Sequence, residues 1–98
     1  MRAPAERAYK LKPDSAAIAD TLGWVLVEQG NTARGLELLQ KAVAAAPKVP
    51  GVRFHLAQAW LKSGDKKKAG DELERLLTST EKFSQQDEAT NLLKQLRN

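Results

Sequence analysis

His55 is the only histidine in the chain, and cysteine is absent. One imidazole cannot build a metal site unaided, and Asp20 or Glu28 would reach it only by an accident of packing. The residue types favour a structural histidine, at the surface or half-buried, over a ligand or a general base. Gly64-Asp65 followed by Lys66-Lys67-Lys68 sets a glycine turn beside three cations, a combination that could hold a phosphate. Phosphate loops, however, join a strand to a helix, and no segment here alternates with the period of a strand. Turn geometry accounts for the glycine without a phosphate. The expectation is therefore no catalytic set, no metal set and no cofactor.

The elements that must position any such residues belong to one small domain. At 98 residues the chain is near the lower end of what folds without staples. With no cysteine it has neither disulfides nor thiolate ligands, which leaves the redox compartment open. Its formal charge is +4, and its basic residues are scattered among acids. Lys66-Lys67-Lys68 is the one basic cluster and reads as the solvated first turn of a helix. No apolar run approaches the roughly 18 residues of a membrane-spanning helix, and the N-terminus lacks a signal-peptide pattern. The compartment is not indicated.

Helical spacing of apolar residues recurs along the chain, with breaks at Pro13-Asp14-Ser15, Gly30-Asn31, Pro47 to Pro50 and Gly64-Asp65. Glycine can take the left-handed conformation that ends a helix, and the asparagine or aspartate after it can cap the next. Ser84-Gln85-Gln86-Asp87 reads as a capping box. Helices are expected over 3–12, 16–29, 33–46, 51–63, 66–79 and 85–97, and the chain is all-α. Leu22, Leu26, Leu39, Leu56, Trp60 and Leu73 should be buried.

Shifting the sequence by 34 positions places Leu22 on Leu56, Gly23 on Ala57, Leu26 on Trp60 and Gly30 on Gly64. Asn31 falls on Asp65, Gly35 on Ala69, Leu39 on Leu73, Ala8 on Ala42 and Pro13 on Pro47. A fixed period of this kind marks stacked supersecondary units. Small residues at Gly23, Gly35, Ala57 and Ala69 let two antiparallel helices approach closely, and larger ones fill the space between successive hairpins. Each hairpin then leaves an apolar side that only its neighbour can cover.

These residues resemble the tetratricopeptide repeat pattern Trp-x2-Leu-Gly-x2-Tyr, then Ala-x3-Phe, then Ala, then Pro. The first full repeat reads Ala19-x2-Leu22-Gly23-x2-Leu26, Gly35-x3-Leu39, Ala42 and Pro47. The second reads Arg53-x2-Leu56-Ala57-x2-Trp60, Ala69-x3-Leu73, Leu76 and Glu81. Ala19 and Arg53 replace the pattern's tryptophan, and Glu81 its closing proline. The resemblance implies an all-α, right-handed α-solenoid of antiparallel hairpins. Residues 1–13 would be the second helix of an earlier repeat, 14–47 and 48–81 two repeats, and 82–98 a capping helix. Ala89, Leu92, Leu93 and Leu96 form a single stripe on that last helix, while Thr90, Asn91 and Lys94 give it a polar outer face. The C-terminus therefore reads as the end of an array, and the N-terminus as a cut within one. "DTLGWVLVEQGNTARGLELLQKAVAAAP" and "FSQQDEATNLLKQL" also resemble bacterial repeat lipoproteins associated with exosortase (PEP-CTERM) sorting systems, which would place a parent protein in the cell envelope.

Members of the repeat family present the first helix of each repeat along a concave surface that takes up peptides or partner helices. Here the resemblance implies Asp20, Thr21, Trp24, Val27 and Glu28, then Phe54, His55, Gln58, Leu61 and Lys62. Trp24 stands about 200° around its helix from Leu22, where an aromatic could anchor an apolar side chain, or Trp24 and Phe54 could simply pack on each other or on the N-terminal helix. The clamp by which some members hold a C-terminal carboxylate is not expected, because Asp20, Trp24 and His55 stand where its cationic and amide groups would be. The expectation is a non-enzymatic scaffold that binds a protein or peptide, with weak self-association through the N-terminal helix. The alternative is a small basic helical domain binding nucleic acid, which would need its lysines and arginines aligned on one face.

Overall fold

A computed structural model of the chain describes residues 2–79 and 83–97. Among these the backbone forms α1 (Arg2–Leu11), α2 (Ala16–Glu28), α3 (Thr32–Ala45), α4 (Pro50–Lys62), α5 (Lys66–Ser79) and α6 (Gln86–Arg97), with no strand. Glu81 and the expected boundary beside it lie outside the described residues.

Local chemistry sets the helix ends. The Ser15 hydroxyl accepts from the Ile18 amide at 3.3 Å and caps α2. At the other end Gly30 takes φ +90°, a conformation in which a Cβ is strained. Its amide donates to Val27 O at 3.0 Å and that of Asn31 to Leu26 O at 2.8 Å, the paired bonds of a Schellman turn. Gly64, at φ +92°, repeats the turn with Leu61 O and Trp60 O, both at 3.0 Å. The two asparagine and aspartate positions then differ. Asp65 Oδ1 accepts from the Lys68 amide at 3.0 Å, whereas the Asn31 side chain makes no capping bond, contrary to expectation. Pro50 occupies the first turn of α4, where its missing N–H costs nothing. The expected capping box does not form either. Ser84 lies in the turn before α6, and the first helical bond runs from Ala89 N to Gln85 O at 3.0 Å.

Glycine sets the separation of α2 and α3. A Cβ on Gly35 would lie 2.5 Å from Val27 Cγ2 and 2.7 Å from Gly23 O, and one on Gly23 would lie 2.9 Å from Leu39 Cγ. Real Cβ atoms do not tolerate such distances, so the two backbones meet only because both positions lack a side chain. In the second hairpin, Ala57 and Ala69 hold these places and are fully buried.

The core runs through the stack in overlapping clusters. Tyr9 and Ala5 of α1 cover Leu22, Leu26 and Leu38. Val27, Leu36 and Leu39 of the first hairpin pack on Leu56 and Ala59 of α4. Phe54, Leu73 and Leu76 are closed off by Ala89, with Leu92, Leu93 and Leu96 of α6 packed beside it. Leu22, Leu26, Leu39, Leu56 and Leu73 are buried as expected. Trp60 is only half-buried. Its indole packs in part against the cluster of Val27, Leu36, Leu39, Leu56 and Ala59, and the Lys68 ammonium lies 4.5 Å from its ring centre.

Candidate functional site

The open faces of α2 and α4 are joined by three of the expected residues. Asp20 Oδ1 lies 2.7 Å from His55 Nδ1. The His55 imidazole stacks on the Trp24 indole with centroids 4.6 Å apart and planes inclined by 16°. Asp20 and Trp24 are four residues apart, hence on one side of α2, and His55 reaches both from α4. One polar cluster therefore bridges successive repeats, with His55 and Asp20 side chains 25% and 17% exposed. Stacking and the charge-assisted contact hold the indole in one orientation.

Around this cluster Thr21, Glu28 and Lys62 are exposed, and Gln58 and Leu61 half-buried. Thr21 turns its hydroxyl to Ala17 O at 2.9 Å, away from the imidazole. The Asp20–His55 pair could orient a base, but no hydroxyl among the described residues hydrogen-bonds it. Nor does any group of three or more acidic, histidine or cysteine side chains stand ready for a metal ion among the described residues.

Two residues expected on this face belong to the core. Val27 is 2% exposed because the absent side chain of Gly35 leaves room for its methyl groups against α3. Phe54 is 1% exposed. It occupies in α4 the place that Asp20 has in α2, 34 positions earlier. Where His55 reaches back to Asp20, the residue another 34 positions on is Ala89, and α6 settles its apolar stripe over the phenyl ring. Phe54 is thus unavailable to a partner, and it does not pack on Trp24.

Sequence reasoning missed a second polar element. Arg53 Nη1 and Glu72 Oε1 are 2.9 Å apart, and Arg53 Nε donates to Pro47 O at 2.9 Å. Glu72 is 7% exposed and also lies 3.5 Å from Arg75 Nη1. The signal lay in the period itself, since Arg53 and Glu72 replace Ala19 and Leu38, both 34 positions earlier. The same two sites are apolar core in the first repeat and carry opposite charges in the second.

Charges along α5 are largely engaged with one another. Lys67 pairs with Asp71 at 3.2 Å, and Arg97 of α6 with Glu74 at 2.7 Å. Within the lysine run, Lys67 makes that ion pair and Lys68 lies over the Trp60 ring, while Lys66 makes neither contact. Shallow depressions also line α5, one of them floored by Leu56 and Trp60 between α3 and α5. No helix among the described residues is long and apolar enough to cross a membrane.

A family model described as Tetratricopeptide repeat matches residues 26–96. A search of curated proteins finds no match. The matched span covers α3 to α5, nearly all of α6 and the end of α2, with both left-handed glycine turns and the buried ion pair.

Proposed function

Because the chain belongs to the tetratricopeptide repeat family, whose repeats generally mediate protein–protein interactions, we propose that it is a non-catalytic scaffold holding a peptide or partner helix on the α2–α4 face. The observation that carries this reading is the half-buried Trp24, fixed by His55 against the neighbouring repeat. A pre-oriented indole offers a large contact area at small entropic cost. Asp20, Thr21, Glu28, Gln58, Leu61 and Lys62 surround it. Val27 and Phe54 support the face from beneath without meeting the partner.

Peptides selected from a random displayed library against the intact chain test this reading. The expected outcome is that bound peptides shift the backbone amides of α2 and α4, and that Trp24→Ala weakens them while the variant still melts cooperatively. Selected peptides that shift only amides of α3 and α5 would move the binding surface to the opposite side.

Weak self-association through α1 is a second part of the proposal. It is favoured by Leu11, an apolar side chain 82% exposed at the end of that helix.

A further inference from the structure

Resting on that reading, we infer that the partner segment is basic, and that one of its arginine side chains lies on α2 at Trp24, between the carboxylates of Asp20 and Glu28. Asp20, Trp24 and Glu28 are spaced four residues apart and so form one row along the helix. The row spans about 12 Å at 1.5 Å per residue, with the indole midway. An acid, an aromatic and an acid in that order suit a guanidinium, with Glu28 open and Asp20, whose Oδ1 is held by His55 Nδ1 at 2.7 Å, offering its second oxygen. Its plane stacks on an indole, and its N–H groups fork onto carboxylates.

Glu28 is open to such a group. It is exposed and has no ion-pair or hydrogen-bond partner among the described residues. Glu72, Asp71, Glu74 and Glu6 are engaged with Arg53, Lys67, Arg97 and Arg34. Asp14, Glu37, Asp87 and Glu88 are exposed and, among the described residues, unpaired like Glu28, but Glu28 is the one that stands on α2 one turn from Trp24. The chain as a whole carries a formal charge of +4. That net charge disfavours non-specific contact with a cationic segment, so its binding needs a local pair of acids such as this one. Lys62 adds a direction. It occupies in α4 the place that Glu28 has in α2, is likewise exposed, and repels a second base there. The basic end of the segment thus lies over α2, and its neutral or acidic end over α4.

The test uses the intact chain and a capped nonapeptide of alanine, serine and leucine with arginine at its centre. Two matched peptides carry citrulline or glutamate at that position. Backbone amide shifts of α2 and α4 are followed up to millimolar peptide. The arginine peptide should bind several-fold more tightly than the citrulline peptide, and the glutamate peptide more weakly still. Glu28→Gln should weaken the arginine peptide about two- to fivefold, as the loss of one exposed ion pair does. Lys62→Glu should tighten it by a similar factor, and added salt should narrow both differences. Both side chains are exposed, so neither variant endangers the fold. Equal binding of arginine and citrulline peptides on this face overturns the charge inference and leaves the groove reading standing. So does indifference to both Glu28→Gln and Lys62→Glu. If none of the peptides, at any central charge, shifts amides of α2 or α4, both readings fall.

Discussion

The carbonyl oxygen of Gly23 lies 2.7 Å from the point where a Cβ on Gly35 would stand, and the Gly35 carbonyl 3.0 Å from the corresponding point on Gly23. The two helices of the first hairpin therefore touch backbone to backbone. Glycine inside a helix costs about 0.5–1 kcal/mol relative to alanine, so alanine at Gly35 would stabilise the chain if this contact were unimportant. The contact wins, because the obstructing atoms include a carbonyl oxygen that cannot swing aside. Gly35→Ala should destabilise by about 1–3 kcal/mol and Gly35→Leu by more. Urea denaturation measures both, and a gain of stability in Gly35→Ala would refute the crossing.

Gly70 in α5 supplies the opposite sign. A Cβ there would meet Arg97 Nη2 at 3.1 Å, the far end of a flexible side chain. The guanidinium can shift and keep its contact with Glu74. Gly70→Ala should therefore be neutral or stabilise by up to ~1 kcal/mol through helix propensity. A loss as large as that of Gly35→Ala would show that Arg97 is rigidly seated in the gap.

The Arg53–Glu72 pair invites a transplant from the first repeat. Arg53→Ala leaves Glu72 buried beside only Arg75, whose side chain is 70% exposed. The cost should fall near the lower end of the ~3–5 kcal/mol typical of a broken buried pair. Combining it with Glu72→Leu restores the Ala19 and Leu38 pattern of the first repeat, and most of the loss should return. A double-mutant cycle measures the coupling. Additive losses would mean that the two residues act independently.

Trp24 and Phe54 should separate by magnitude. Phe54 is enclosed on all sides, and Phe54→Ala should cost about 3–5 kcal/mol. Trp24 is half-buried and stacked, so Trp24→Ala should cost about 1–2 kcal/mol, mostly the stacking and the covered part of the ring. Equal losses in chemical denaturation would make Trp24 a core residue and remove it from the proposed binding face.

Leu11→Arg addresses self-association. Sedimentation of the parent chain should show a weak, concentration-dependent dimer, and Leu11→Arg should abolish it without changing the melting temperature. A parent chain that stays monomeric at millimolar concentration would eliminate this contact.

Much of the fold was legible because its determinants are local. The left-handed turns at Gly30 and Gly64, the prolines after α3 and the 34-residue period all act within a few residues of themselves or recur at a fixed distance. The expected helices match the observed ones to within about a residue. Gly35 was legible for a similar reason, since a glycine in a helical apolar stripe is costly unless something presses against it. Asn31 shows the limit of local reading. It has the right type and place for a cap, but its side chain makes no capping bond.

The candidate site was legible only in outline. Asp20, Trp24 and His55 could be assigned to neighbouring first helices, yet their mutual contact depends on how α4 settles on α2. Periodicity alone thus determined the stacked hairpins, their turns and the row of Asp20, Trp24 and Glu28. The tertiary structure decided which members of each helix face stay open. Asp20 and Phe54 hold the same place in successive repeats, but one meets an imidazole and the other an alanine backed by leucines. Spacing fixes the direction in which a side chain leaves its own helix, whereas burial depends on the residue that the next helix brings opposite.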